Sequence, residues 1–138
     1  MPTGRILCID YGKKRCGIAA TDPLQLIVNG IDTVETSLLD EFLSEYIKRE
    51  FVVKIVLGYP THLDGNDTYL SKDVVILKNK MEQTYVGLDV VLVDEHFSSK
   101  KAKEIILISG AKRKDRRDKA LIDKMSAVVI LQQYLGHI

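Results

Sequence analysis

The chain of 138 residues is poor in cysteine and histidine, with two of the first and three of the second. Cys8 and Cys16 form no CxxC pair and sit in apolar stretches. A structural zinc site needs four closely spaced sulfur or nitrogen ligands, so these counts argue against a zinc-stapled fold. The two thiols are expected to stay reduced and to behave as small buried hydrophobes. An excess of charge is also missing. Twenty basic residues against 19 acidic ones leave a net +1, so only the local distribution of charge can speak for or against a polyanionic partner. No apolar run approaches the ~20 residues that cross a bilayer. The opening MPTGRILCIDYG lacks the long apolar region and small-residue cleavage site of a secretory leader. A cytoplasmic protein without membrane contact is therefore expected. Internal repeats and low-complexity tracts are absent from the sequence.

What is present is ordinary globular material: 46% hydrophobic and 28% charged residues, enough for one domain over residues 1–138 with a real core. Residues 5–10 suit a strand, YGKK a turn, and CGIAATD a second strand returning from it. Asp22-Pro23 marks another turn, and LIVNGIDTVE is expected as a third strand of an antiparallel meander. The spacing then changes. Leu38, Leu39, Phe42, Leu43, Tyr46 and Ile47 recur at helical intervals, with Ser37 as the expected N-cap. VVKIVLGYP and LDVVLVDE are nearly continuous apolar runs, the pattern of strands buried on both faces in a parallel region. Helices are expected over YLSKDVVILKNKMEQTY, over SSKKAKEIILISG with Gly110 as its stop, and over ALIDKMSAVVILQQYL. THLDGND and AKRKDRRDK are loops, the second expected to be mobile from Ala111 to Lys119. The order β-β-β-α-β-α-β-α-α predicts an α/β fold, a mixed five-stranded sheet with helices on both faces.

Acids stand at the ends of these elements. Asp10 closes the first strand and Asp94-Glu95 the last, while Asp123 lies near the start of the final helix on the face of Ala127 and Ile130. Each alone could serve a turn or a helix dipole. Together they form the pattern of a carboxylate site, in which a divalent cation relieves mutual repulsion; oxygen-only donors favour Mg²⁺ or Mn²⁺.

Four blocks, CIDYGKKRCGIAATD, IVLGYPTHLDGN, VVLVDEHFSSKKA and LIDKMSAVVILQQYL, occur in the order found in the YqgF family, whose members are described as pre-16S ribosomal RNA nucleases or Holliday-junction resolvase-like proteins. The resemblance spans essentially the whole chain. It implies a ribonuclease H-like fold with strand order 3-2-1-4-5. It implies that Asp10, Glu95 and Asp123 are the catalytic, metal-binding carboxylates, with Asp94 and Asp64 as further acids. Gly12, Lys13, Arg15 and Gly17 match the first motif, and Gly58, Pro60, Asp64 and Gly65 the second. One departure is His96, where the family carries arginine, a permanent cation and bidentate phosphate donor. In the implied strand order the first and last strands are two places apart, so the Asp10 and Glu95 backbones should be separated by about 10 Å.

The reaction implied is hydrolysis of a phosphodiester, most specifically in 16S ribosomal RNA 5′-end maturation, with Mg²⁺ or Mn²⁺ as cofactor. Basic clusters that could contact phosphates flank the presumed site: Lys13, Lys14 and Arg15; Lys100, Lys101 and Lys103; and Lys112, Arg113, Arg116 and Arg117. Tyr11 and Tyr59 end strands and could stack on bases. The expected partner is structured RNA, or branched DNA, bound by a monomer or weak homodimer. Two rivals remain at this stage. One is a kinase-like phosphate site, which needs two such domains. The other is a nucleic-acid-binding module without turnover, acting in ribosome assembly or transcription.

Overall fold

In the computed structural model residues 3–60, 69–95, 98–108 and 118–138 are described, with residues 59–60, 69–71, 94–95, 98–99 and 108 described by their backbone. The first strand, β1 (Arg5–Asp10), pairs antiparallel with β2 (Arg15–Thr21), which pairs antiparallel with β3 (Val28–Glu35). On its other side β1 pairs in parallel with β4 (Val52–Pro60), and β4 in parallel with β5 (Asp89–Glu95). The sheet order is β3-β2-β1-β4-β5, as expected. Four helices are described: α1 (Leu39–Arg49), α2 (Tyr69–Thr84), α3 (Ser98–Ile108) and α4 (Lys119–Tyr134).

Side-chain alternation divides the sheet into two buried faces. Leu7 and Ile9 of β1, with Ile18, Ile55 and Leu57, pack against Leu39, Leu43 and Tyr46 of α1 and Val74, Leu77 and Met81 of α2. Ile6 and Cys8, with Ala19 and Val56, pack on the opposite face against Ala127, Val128, Ile130 and Leu131 of α4. The strands β1 and β4 are covered on both sides, which explains their unbroken apolar runs. Both cysteines are fully buried and neither forms a disulfide, as expected from their sequence context.

Three boundaries differ from expectation. The third strand begins at Val28, because the amides of Leu26 and Ile27 both donate to Asp22 Oδ1 at 2.7 Å and are held in the preceding turn. Ser37 is not an N-cap. Thr36–Leu38 form a single 3-10 turn, and α1 begins at Leu39 without a side-chain cap. The final helix begins one residue early, at Lys119, because the Asp118 side chain accepts from the Ala120 amide at 3.0 Å and caps it. The described part of α3 runs to Ile108; Gly110 and residues 111–117 of the segment expected to be mobile, Ala111 to Lys119, lie outside the described residues, while its last two, Asp118 and Lys119, cap and open α4.

Candidate active site

Asp10 is the last residue of β1 and faces Gly17 of β2 across the antiparallel ladder. Gly17 is the reason α4 can approach. A Cβ there would lie 1.9 Å from the backbone oxygen of Asp123 and 2.5 Å from its carbonyl carbon, so helix and strand meet backbone to backbone. Asp10 and Asp123, from opposite ends of the chain, are thereby set on two sides of one glycine. By strand alternation Asp10 belongs with Ile6 and Cys8, on the face that α4 covers.

The Asp123 carboxylate is fixed by Arg15, whose Nε donates to Oδ2 at 2.9 Å. Both side chains are partly solvated, at 38% and 28% exposure, so the pair orients more than it stabilises. Arg15 is itself placed by a tight turn. A Cβ on Gly12 would stand 2.3 Å from the Arg15 carbonyl oxygen. The Gly12 carbonyl accepts from Thr36 Oγ1 at 2.7 Å and from the Cys16 thiol. Burial pushes the Cys16 thiol above its ordinary value; hydrogen bonds to Thr36 and Gly12 oppose this, and Asp10 and Asp123 both add to it.

Around this pair α4 is stitched to the antiparallel half of the sheet. Thr33 Oγ1 donates to the Ala120 carbonyl, and Gly30 leaves room for the Lys124 side chain. Sequence reasoning missed these contacts. It also assigned Arg15 only to phosphate; the structure sets it against Asp123. Opposite charge was the sole sequence signal for that pair.

The third expected carboxylate follows from register. Gly58 pairs with Val93, Tyr59 with Asp94 and Pro60 with Glu95. Val93 packs against the α4 cluster and Leu92 against the opposite one. Glu95 therefore occupies a strand position of the α4 side and Asp94 one of the α2 side. Ile9 is in line with Leu57, and Leu57 with Leu92, so Glu95 stands two strands across and two residues further along than Asp10. That is about 12 Å between backbones, somewhat more than strand order alone suggested. Among the described residues no three His, Cys, Asp or Glu side chains form a metal-ligand group. The side chains of Asp94 and Glu95, together with Asp64 and His96, lie outside them.

Lys13 and Lys14 are exposed in the β1–β2 turn beside Asp10, and Lys100, Lys101 and Lys103 on the first turns of α3, which follows the end of β5. Lys112, Arg113, Arg116 and Arg117 are outside the described residues. Tyr11 is not on this side. It packs against the α1–α2 cluster beside Leu39, Asp40 and Asp73, and burial followed by Asp73 raises its pKa. Tyr59 is described by its backbone.

Residues 4–137 match the family model described as RuvX, Holliday junction resolvase. The chain belongs to the RuvX family. It is 44% identical over 134 residues to a Porphyromonas gingivalis protein named "Putative pre-16S rRNA nuclease", covering 97% of each chain. A Phocaeicola vulgatus protein of the same name is 43% identical over 131 residues, 95% of this chain and 94% of that one. These are the two descriptions that the four sequence blocks implied. Among solved structures, Thermus thermophilus RuvC in complex with Holliday junction substrate superposes with a TM-score of 0.57 at 15% identity, covering 96% of both chains. A second T. thermophilus RuvC structure gives 0.51 at 12% identity, again with 96% of both covered. At such identity the likeness is one of fold, and that fold is ribonuclease H-like. Among the described residues no helix of this RuvX-family chain is long and apolar enough to cross a membrane.

Proposed function

We propose that residues 1–138 form a single nuclease domain that hydrolyses phosphodiester bonds of structured RNA, with precursor 16S ribosomal RNA at its 5′ end as the substrate and Mg²⁺ or Mn²⁺ as the cofactor. One observation carries this reading: Asp10 and Asp123 are brought to either side of Gly17, with Arg15 fixing the second of them. The donor set suits a hard cation, because the groups brought together are carboxylate oxygens and neither cysteine is a ligand. Asp10, Asp123 and Glu95 would hold it, with Asp94 and Asp64 as further oxygen donors. When bound, such a cation supplies Lewis acidity and neutralises charge on the leaving oxygen.

The chain's own residues do the positioning. Arg15 holds the Asp123 carboxylate through its Nε and offers its remaining guanidinium N–H groups to phosphate. Lys13 and Lys14 lie where phosphates flanking the scissile one would pass. Lys100 and Lys101 do the same at the β5 end; Lys112, Arg113, Arg116 and Arg117, which lie outside the described residues, are further candidates for phosphate contact. The names carried by relatives at 43–44% identity support ribosomal RNA as the substrate class. The family description supports a second reading, cleavage of four-way DNA junctions.

The deciding experiment is a cleavage assay with Mg²⁺ or Mn²⁺ on precursor 16S RNA, single-stranded RNA and a four-way DNA junction, run beside Asp10→Asn. Cleavage of the precursor that Asp10→Asn abolishes is expected. Tight binding without cleavage under any divalent cation would replace this reading with that of a binding module.

A further inference from the structure

The largest concavity among the described pockets is not at the carboxylates. It is a trough of about 570 Å³ between β3 and α1, on the other face of the sheet. β3 is an edge strand: among the described residues it pairs with β2 alone, so one side of its backbone has no ladder partner. The opposite wall is one stripe of α1 and the turn before it, Leu38, Phe42 and Tyr46, spaced four residues apart. Phe42 and Tyr46 stack with ring centroids 5.9 Å apart, and with Val34 of β3 they make an apolar floor. Leu38 is 47% exposed there, a large apolar residue that the fold leaves uncovered.

The rim is predominantly acidic. Asp32 and Glu35 stand on the strand wall, Glu41 and Glu45 on the helix wall. Among the described residues no lysine or arginine pairs with Glu35, Glu41 or Glu45. The one base lining the trough, Arg49, is turned onto the Tyr46 ring at 5.5 Å and toward Glu50 at 3.9 Å.

We propose that this trough docks an extended, basic segment of a partner protein, added as a sixth strand to the free edge of β3. An unpaired edge facing a helix with an apolar stripe between them is the geometry of strand addition. The ladder gives affinity, and alternate side chains reach the floor. Only every second residue of the added strand faces α1; among these, apolar side chains suit Leu38, Phe42 and Tyr46, and lysine or arginine suits Glu41 and Glu45. Nucleic acid is repelled by such a rim, and so is the β3 edge of a second copy, which would bring the same acids together. The protein thus has two faces of opposite preference, a basic track for the polyanion and an acidic trough for a cationic protein segment of the kind that accompanies one.

The test uses the full chain and a fluorescein-labelled nine-residue peptide in which every second residue is lysine or valine in turn, with threonine between them. The expected results are saturable binding by anisotropy and slowed exchange of the β3 amides between Gly30 and Glu35. Binding should weaken about ten-fold or more in Glu41→Lys/Glu45→Lys. The same peptide with glutamate in place of lysine should not bind, and neither should the lysine peptide carrying N-methyl groups on alternate amides. A Glu41→Gln/Glu45→Gln pair, checked for native circular dichroism, repeats the measurement if charge reversal unfolds the chain. Asp10→Asn should leave peptide binding unchanged. Binding that survives both Glu41/Glu45 pairs, tolerates N-methylation, leaves β3 exchange untouched or is lost in Asp10→Asn would overturn the proposal.

Discussion

The backbone oxygen of Asp123 occupies the space in which Gly17 would carry a side chain. One residue without a Cβ therefore determines how closely the last helix approaches the second strand, and so where the Asp123 carboxylate lies relative to Asp10.

Gly17→Ala should be costly in two ways. Backbone must move to admit the methyl group, at about 1–3 kcal/mol or more of stability, read from the urea midpoint. The movement displaces Asp123, so cleavage should fall further than the folded fraction explains. Gly30→Ala is the control. Its Cβ would meet the flexible Lys124 side chain at 2.9 Å, and both losses should be smaller.

Arg15 acts on Asp123 through one hydrogen bond, and its removal should separate orientation from stability. Arg15→Ala should change the unfolding free energy by less than about 1 kcal/mol, since the pair is partly solvated. Cleavage should fall by about 10- to 100-fold, as when a group orienting a metal ligand is lost. The Mg²⁺ concentration for half-maximal activity should rise. An activity loss with unchanged metal dependence would mean that Arg15 serves the phosphate alone.

Phosphate contacts should register in salt dependence. Alanine at Lys112, Arg113, Arg116 and Arg117 should weaken RNA and DNA alike and flatten the slope of log affinity against log salt by about 0.7–0.9 for each contact removed. A changed preference between substrates with an unchanged slope would assign these residues to recognition of shape instead.

Stability should fall at alkaline pH. The Cys16 thiol is pushed above its ordinary value of 9.0, chiefly by burial. As pH rises past 9.0, the unfolded chain releases this proton while the folded chain keeps it, so the unfolded state gains and stability declines until the folded thiol ionises too. Tyr46 and Tyr85, both raised from 10.0 first by burial, act in the same direction one unit higher. Urea midpoints from pH 7 to 10.5 should show the decline, and Cys16→Ala should make it shallower between pH 9 and 10.

Much of this was legible in the sequence because it rests on periodicity. The unbroken run of β4 marked a strand buried on both faces, and Ala127 and Ile130 marked the face of α4 that carries Asp123 inward; β5, read in the same way, is instead an edge strand whose Val91, Leu92 and Val93 are half-buried. Element ends were less legible, since they depend on single contacts. Asp22 holds Leu26 and Ile27 out of β3, and Asp118 caps α4 one residue ahead of the expected start. The pairing of Arg15 with Asp123 could not be foreseen, because it depends on how closely α4 sits on Gly17, a distance with no local signature. Tyr11 shows the same limit in reverse. Its position beside Asp10 suggested base stacking, but alternation turns successive residues to opposite faces and takes it to the α1–α2 side.

The stitching of α4 onto the first hairpin also has a temporal side. Asp10 leaves the ribosome early in synthesis and Asp123 late, and until α4 docks, one face of the sheet lacks its main cover. A nascent or clipped chain lacking that helix holds only part of the carboxylate set and none of the Arg15–Asp123 pair. The proposed carboxylate site is therefore among the last features of the fold to be assembled.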